Sequence, residues 1–263
     1  NEGEWVLVNG NQTALMFVYY LITRWKELGK INGKEYIVKT IVTTETIKTI
    51  AERNGVEMYD VYTGFKWIAN VMRENEGKKN YIGGGEESYG FLCEDFVRDK
   101  DAVSACVILA EIAAWAKDQG LSLYQLLQKI YVEYGFSKEK GISVVKKGKS
   151  GAEEIEAMMK KFRENPLTEI AGSKVTYFYD YSTLKGKDYA ENETVTLDMP
   201  TTSNVLQYFT EDNTKVSIRP SGTEPKIKFY CEVHSKVKSI DELPEAEKAA
   251  EEKINQIKAS LGI

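Results

Sequence analysis

The first half of the chain alternates runs of β-branched residues with segments whose apolar residues recur at helical spacing. Leu15, Val18 and Ile22 fall on one helical face, whereas 36–43 is rich in Val, Ile and Thr, as strands are. The predicted helices are 12–28, 45–54, 66–74, 101–117 and 123–134, and the predicted strands are 36–43, 56–61 and 81–82. Strands that alternate with helices in this way favour an α/β layer structure.

This alternation stops at 135–140, where we place a domain boundary, which gives predicted domains of 1–136 and 137–263. The second half is richer in strands. Its predicted strands are 142–145, 175–179, 205–209, 216–218 and 227–233, and its predicted helices are 152–163 and 243–261. This order favours a compact α+β domain with helices on one face of a sheet.

Segment 102–116 is apolar on nearly all sides. It is shorter than the ~18–20 residues that a membrane span needs, and it contains Glu111. A helix that is hydrophobic all round is normally buried. The sequence therefore predicts a buried helix here.

Charge and cysteine content argue against several function classes. The net charge of −5 argues against general affinity for nucleic acid or anionic membranes. Cys93, Cys106 and Cys231 share no metal-ligand spacing, which favours reduced thiols in a cytoplasmic protein. The single histidine, His234, follows a strand-like alternation and is predicted to be structural.

The run from Arg219 to Lys228 joins two strand-like segments through a turn that is rich in anion-binding groups. The Arg219 guanidinium can give two N–H donors to a phosphate, and the hydroxyls of Ser221 and Thr223 can each give one. Gly222 leaves its backbone N–H uncovered, so an anion can approach closely. The run predicts a phosphate-binding turn, and an ordinary hairpin with a Pro/Gly turn is the alternative.

A second glycine-rich stretch, 83–90, follows a short predicted strand. Glu86 and Ser88 are two residues apart, so both side chains can point into one pocket if the segment is extended. An ionised carboxylate offers only acceptors, which suits adjacent hydroxyl groups of a sugar. The stretch predicts a hexose-reading loop, and a flexible glycine loop with an exposed acidic pair is the alternative.

Two shorter stretches add candidates. Thr63, Gly64 and Lys66 lie where a predicted strand ends and a helix begins, and ligands of α/β folds bind at the carboxyl ends of strands. Lys100 stands between two aspartates, which favours a surface salt bridge. It becomes a candidate for the site if it faces the same cleft as Glu86.

Together these stretches resemble the α-D-phosphohexomutase superfamily, which includes phosphoglucomutases and phosphomannomutases. Segment 85–90 is similar to its sugar-reading loop, 219–225 to its phosphate-binding loop, and 63–66 and 98–101 to two further active-site segments. The resemblance covers essentially the whole chain. It implies the third and fourth domains only, with roughly residues 1–10 coming from the end of the second.

The implied fold is a three-layer α/β domain followed by a smaller α+β domain with a TATA-binding-protein-like antiparallel sheet. The superfamily carries a phosphorylatable serine in its first domain and a DxDxDR metal loop in its second, and this sequence contains neither motif. The chain also opens on Asn1 without Met and goes straight into a strand-like run. We therefore expect a fragment of a longer enzyme, inactive by itself.

The resemblance implies interconversion of hexose 1-phosphate and hexose 6-phosphate through a bisphosphorylated sugar and an enzyme phosphoserine. Mg²⁺ would be bound by the missing second domain, and glucose 1,6-bisphosphate would be intermediate and activator. The implied catalytic residue is Lys100, the implied substrate contacts are Thr63, Gly64, Lys66, Glu86, Ser88 and Lys100, and the implied phosphate contacts are Arg219, Ser221, Gly222, Thr223 and Lys228. Lys228 stands where some relatives have arginine, so it supplies a point charge without a two-pronged donor.

The sugar stays open at this point. Glucose, mannose and pentose phosphates all suit a carboxylate–hydroxyl reader, and a sugar-bisphosphate synthase of the same superfamily is a further alternative. A non-catalytic sugar-phosphate-binding module that never had the first two domains competes with the enzyme. A purely structural domain would leave both ligand-type loops unexplained.

Overall fold

A computed structural model describes residues 3, 5–146, 148–222 and 224–263. The chain divides into two compact units. The first unit is Asn1–Phe136 with Lys236–Leu243, and the second is Ser137–Ser235 with Pro244–Ile263. The sequence-based division had placed 236–243 with the residues of the second unit.

The first unit alternates helices with strands. Its elements are α1 (Gly10–Glu27), β1 (Glu35–Thr40), α2 (Thr46–Arg53), β2 (Glu57–Val61), α3 (Phe65–Asn75), β3 (Asn80–Gly85), β4 (Phe91–Cys93), α4 (Ala102–Asp118) and α5 (Leu123–Tyr134). The strand order is β2-β1-β3-β4, in which β1 is parallel to β2 and β3 while β4 runs antiparallel to β3.

Helices cover both faces of this sheet. On one face, Phe65, Ile68 and Met72 of α3 pack against Tyr36 and Tyr81 of the strands. On the other face, α1 contacts β3 and β4, where the rings of Phe17 and Phe91 stack with centroids 4.4 Å apart. The arrangement confirms the predicted three-layer α/β class for this part of the chain.

Helix α4 corrects one prediction. It was expected to be buried, but only Ile112 and Ala116 of this helix are buried. The helix contacts α1, α5 and β4 through one side and leaves the other side open. Its apolar composition therefore does not report burial within the chain. Among the described residues, no helix is long and apolar enough to cross a bilayer.

The second unit is built on one sheet of long and short strands with antiparallel pairings. Its elements are β5 (Phe136–Val145), α6 (Gly148–Glu164), β6 (Glu169–Ile170), β7 (Ser173–Asp180), β8 (Lys185–Asp188), β9 (Glu193–Thr196), β10 (Leu206–Thr210), β11 (Lys215–Pro220), β12 (Lys226–Ser235) and α7 (Leu243–Leu261). The 3₁₀ turn at Ile240–Glu242, just before α7, belongs to the first unit. The strand order is β5-β12-β11-β10-β7-β8-β9, and β6 pairs with β7.

Two helices supply the core of this unit. Phe162 of α6 meets Phe229 of β12 edge-on at 6.3 Å between ring centroids. Ile254 and Ile257 of α7 are fully buried. Helices with an antiparallel sheet agree with the predicted α+β class. The short strands β8 and β9 were not predicted, because Lys185–Asp188 and Glu193–Thr196 lack an apolar alternation.

Candidate functional site

In the first unit, the candidate site lies at the carboxyl ends of the parallel strands. Strand β2 ends at Val61 and leads to Gly64, while β3 ends at Gly85 and leads to Glu86. The backbone N–H of Gly64 donates to Glu86 Oε1 over 2.7 Å. Gly64 has a φ of +113°, a backbone conformation that favours glycine. The carboxylate is thus fixed between two strand ends.

The glycines before Glu86 lie in strand β3 and are buried, so they do not form a loose loop. A Cβ added at Gly84 would overlap the carbonyl oxygen of Val38 in β1. A Cβ at Gly85 would overlap the carbonyl oxygen of Gly90. The Glu86 backbone N–H donates to that same Gly90 oxygen over 2.7 Å, which closes a tight loop. These glycines are needed for close packing of backbone.

Lys100 lies beside Glu86. A Cβ added at Gly90 would be 3.2 Å from Glu86 Oε2 and 3.3 Å from Lys100 Cδ, so both side chains line the same glycine. The Lys100 ammonium also pairs with Asp99 Oδ1 at 3.2 Å, and this hydrogen bond holds the Asp99 pKa below its usual value. Lys100 therefore forms the surface salt bridge that the sequence favours, and it also lies beside Glu86, which was the condition for including it in the site.

The other predicted residues of this unit are less constrained. Thr63 is half-buried next to Gly64, whereas Ser88 is exposed in the loop that follows Glu86. Lys66 is exposed in the first turn of α3, where its ammonium lies 5.0 Å from the ring centroid of Trp67. The structure brings Gly64, Glu86 and Lys100 together and leaves Ser88 and Lys66 at the rim.

Lys39 was missed by the sequence analysis. It lies in β1 with Asp60 and Gly85 as its partners in register, and it is 1% exposed. Its ammonium is 2.7 Å from Asp60 Oδ1 and 2.9 Å from Glu45 Oε1. A lysine within a β-branched run was the available signal, since a buried lysine requires partners. The lysine places a buried positive charge one strand from Glu86.

In the second unit, the candidate site is the hairpin of β11 and β12. Arg219 and Lys228 are directly opposite in register, so their side chains share one face of the sheet. Among the described residues, no carboxylate forms an ion pair with either cation. Like charges directly opposite destabilise a strand pair. The pair is therefore suited to an anion that neutralises both.

The turn between these strands is short and ordered by backbone hydrogen bonds. The Ser221 backbone N–H donates to the Lys226 carbonyl over 2.8 Å, and the Lys226 N–H donates to the Glu224 carbonyl over 2.7 Å. Gly222 is exposed, and a Cβ there would meet nothing within 4 Å. Thr223 lies outside the described residues. The open backbone at Gly222 leaves room for a ligand.

A pocket of about 620 Å³ lies against the same turn, within the second unit. Its walls combine apolar residues of α6 with the turn itself. The lining includes Ala152, Ile155, Met159, Ser221, Gly222 and Lys226.

His234 belongs to a buried charge cluster on strands β11 and β12. Glu232 accepts from His234 Nε2 at 2.8 Å and pairs with the Lys215 ammonium at 2.9 Å. Burial alone would raise the pKa of Glu232, but the charges of Lys215 and His234 hold it well below its usual range. Burial alone would lower the pKa of His234, and the charge of Glu232 raises it instead.

No group of three or more His, Cys, Asp or Glu side chains that could hold a metal ion occurs among the described residues. The acidic residues that the site does contain are engaged with backbone N–H groups or with lysines. The residues present therefore do not fit a divalent cation.

Family models match both units. Residues 9–134 match phosphoglucomutase/phosphomannomutase, alpha/beta/alpha domain III, and residues 143–250 match the C-terminal domain of the same family. Phosphoglucomutase from Staphylococcus haemolyticus is 33% identical over 233 residues, which cover 89% of this chain and 41% of that protein. Phosphoglucomutase from Staphylococcus aureus is 37% identical over 229 residues, which cover 87% of this chain and 40% of that protein.

Solved structures with the same fold include parafusin, a phosphoglucomutase from Paramecium, in its open form. It gives a TM-score of 0.57 at 17% identity and covers 89% of this chain and 38% of its own. A phosphoglucomutase/phosphomannomutase family protein from Burkholderia thailandensis gives a TM-score of 0.56 at 15% identity, with 98% and 43% covered. This chain therefore shares the fold of these proteins and spans less than half of their length.

Proposed function

This chain belongs to the phosphoglucomutase/phosphomannomutase family, and from that premise we propose that it is the sugar- and phosphate-binding part of an intramolecular phosphotransferase. The parent enzyme would be an isomerase that interconverts hexose 1-phosphate and hexose 6-phosphate through a bisphosphorylated sugar. Glucose is the favoured hexose, because the relatives at 33–37% identity are named phosphoglucomutase. A cytoplasmic location fits phosphorylated sugar substrates and is part of the proposal.

The observation that carries the proposal is the fixed carboxylate of Glu86. One oxygen accepts the Gly64 N–H, so the side chain has a defined position without a cation directly bound to that oxygen. The other oxygen is left beside Gly90 and Lys100. A carboxylate held in this way can accept hydrogen bonds from two sugar hydroxyls. Thr63 and Ser88 add hydroxyl groups nearby, and Lys66 adds a cation at the rim.

Lys100 is the proposed catalytic residue. Its side chain lies next to Glu86 but is half-exposed, so its ammonium can reach a ligand in front of the carboxylate. A cation at that place would stabilise the negative charge of a phosphoryl group during transfer. It would also orient the hydroxyl that receives the phosphoryl group.

The hairpin of the second unit would bind the phosphate that is not being transferred. Arg219 supplies a two-pronged donor and Lys228 a point charge on the same face. Ser221, Gly222 and Thr223 would add donors from the turn. Because the bisphosphorylated sugar must reverse its orientation between the two half-reactions, one such cradle would serve either phosphate.

The proposal assigns Mg²⁺ and the phosphoserine to polypeptide outside this chain, as the resemblance to the superfamily implies. Glucose 1,6-bisphosphate would be the intermediate and activator. This chain by itself is then expected to show no mutase turnover in the presence of Mg²⁺. Turnover above the rate without protein, measured with glucose 1-phosphate, would show that the assignment is wrong.

Related activities of the family compete for the same site. A phosphomannomutase, a phosphopentomutase or a sugar-bisphosphate synthase would use the same carboxylate and cradle. A non-catalytic sugar-phosphate-binding module would bind without turning over in any longer form. The relative turnover of glucose 1-, mannose 1- and ribose 1-phosphate by the full-length enzyme separates these possibilities.

The decisive variant is Glu86→Gln in the full-length enzyme. It keeps the size of the side chain and removes the charge that accepts hydrogen bonds from sugar hydroxyls. The ratio of kcat/KM for glucose 1-phosphate to kcat/KM for mannose 1-phosphate should therefore fall roughly tenfold to a hundredfold, which corresponds to about 1.5–3 kcal/mol. Glu52→Gln, at an exposed position of α2, is the matched control. An unchanged ratio in Glu86→Gln would remove Glu86 from sugar recognition.

A further inference from the structure

The outward side of α4 exposes apolar side chains along three turns. Val103 is 74% exposed and Val107 is 61% exposed, and Cys106, Ala110 and Ala114 are exposed as well. Residues three and four apart lie on the same side of a helix. We call Val103, Cys106, Val107, Ala110 and Ala114 the α4 apolar face.

Charged residues of α4 lie at the edge of this face or at its C-terminal end. Glu111 accepts a hydrogen bond from the Tyr20 hydroxyl at 2.6 Å and is therefore turned toward α1. Lys117 and Asp118 are in the last turn. A helix that faces water on one side normally carries charged residues there. The α4 apolar face thus has the composition of a surface that another element covers.

A second exposed apolar segment borders the same loop. Trp5 and Leu7 are almost fully exposed just before α1. The neighbouring Val8 carbonyl accepts a hydrogen bond from Tyr89 at 3.1 Å. The Asp101 N–H, at the start of α4, donates to the Phe91 carbonyl at 3.3 Å. The segment before α1 and the start of α4 therefore flank the loop that carries Glu86.

The lengths of the relatives indicate what covers this surface. The chain spans 41% of the Staphylococcus haemolyticus relative and matches domain III and the C-terminal domain. Most of the remaining length in such relatives therefore precedes domain III. We propose that the α4 apolar face is the packing surface for the domain that precedes domain III in the full-length enzyme. An uncharged apolar patch is typical of permanent interfaces, whereas transient ones are more polar.

Cys106 provides a direct probe, because it is the exposed thiol within the α4 apolar face. Cys93 and Cys231 are internal controls, since burial raises the pKa of both thiols, that of Cys231 to about 12. Maleimide labelling of native protein, read at each cysteine by peptide mass spectrometry, is compared between this chain and the full-length enzyme. We expect Cys106 to label at least tenfold more slowly in the full-length enzyme.

A substitution in the face should reverse this protection. Val107→Asp in the full-length enzyme should restore labelling of Cys106 to within about threefold of the rate in this chain. Lys48→Asp, at an exposed position of α2, should leave the protection intact. In this chain Val107→Asp should leave the melting temperature unchanged, because Val107 is already exposed. An unchanged melting temperature would show that the variant folds.

Three results would overturn the proposal. Equal labelling of Cys106 in this chain and in the full-length enzyme would show that no preceding domain covers the face. Protection in this chain that disappears on dilution would show that a second copy covers it. Protection in this chain at every concentration would show that the chain's own second unit covers it.

Discussion

The glycines next to the two candidate binding loops have opposite surroundings: those of the first unit are packed, and that of the second is open. In the first unit, Gly84 and Gly85 are packed against backbone, and Glu86 behind them is fixed by the Gly64 N–H. In the second unit, Gly222 is exposed and has no neighbour within 4 Å of an added Cβ. Distinguishing sugar hydroxyls requires acceptors at fixed positions, whereas a phosphate can be captured by donors around an open turn. Glycine serves close packing in one loop and access in the other.

Strands β11 and β12 contain a similar contrast. Lys215 is opposite Glu232 in register, and the two side chains form a buried ion pair at 2.9 Å. Four residues along β11 on the same face, Arg219 is opposite Lys228, with no carboxylate between them among the described residues. The sheet thus neutralises its structural lysine internally, whereas no described carboxylate forms an ion pair with Arg219 or Lys228. This difference supports the phosphate assignment independently of any sequence motif.

The largest expected effect separates the two kinds of glycine. Gly84→Ala places a methyl group on the Val38 carbonyl oxygen, which belongs to the backbone and cannot move aside as the end of a flexible side chain could. We expect the free energy of unfolding to fall by about 3 kcal/mol or more. Gly222→Ala adds a methyl group in open space and should change it by less than about 0.5 kcal/mol. Urea unfolding followed by circular dichroism measures both.

Equal stability losses in these two variants would break the comparison between a packed and an open loop. A stable Gly84→Ala protein would show that β1 and β3 can separate at this point. The Glu86 carboxylate would then not be held as rigidly as its hydrogen bond to Gly64 indicates.

Much of this arrangement could be predicted from the sequence, because local patterns determine it. Helical spacing predicted α1 and α7. The run 83–90 predicted a loop after β3, and the run 219–228 predicted the turn between β11 and β12. The buried position of Lys39 could not be read in the same way, since its partners Asp60 and Glu45 come from other elements. Burial of α4 was predicted wrongly, because composition reports apolar character and cannot say which molecule covers it.

The second expected effect concerns the cation pair. Arg219→Ala should weaken binding of glucose 1,6-bisphosphate to the full-length enzyme by about 1.5–3 kcal/mol, measured by isothermal titration calorimetry. Without ligand the same variant should be as stable as the original protein or up to about 1 kcal/mol more stable, since a like-charge pair is removed. Lys160→Ala, at an exposed position of α6, is the matched control. Unchanged affinity, or a clear loss of stability without ligand, would mean that Arg219 serves the fold.

The smallest expected effect tests the neutralised end of the same strands. Glu232, Glu139 and Lys215 are the charged groups around His234, and the net result is a raised His234 pKa, although burial alone would lower it. A raised folded-state pKa means that the protonated histidine stabilises the fold fully below its unfolded pKa of about 6.5. That contribution is lost as the pH rises through the folded-state value. His234→Gln keeps a donor for Glu232 but does not titrate. The melting temperature of the original protein should therefore exceed that of His234→Gln by more at pH 6 than at pH 9.5. A constant difference across this range would show that the His234 pKa is the same in the folded and unfolded states, so that protonation of His234 does not stabilise the cluster.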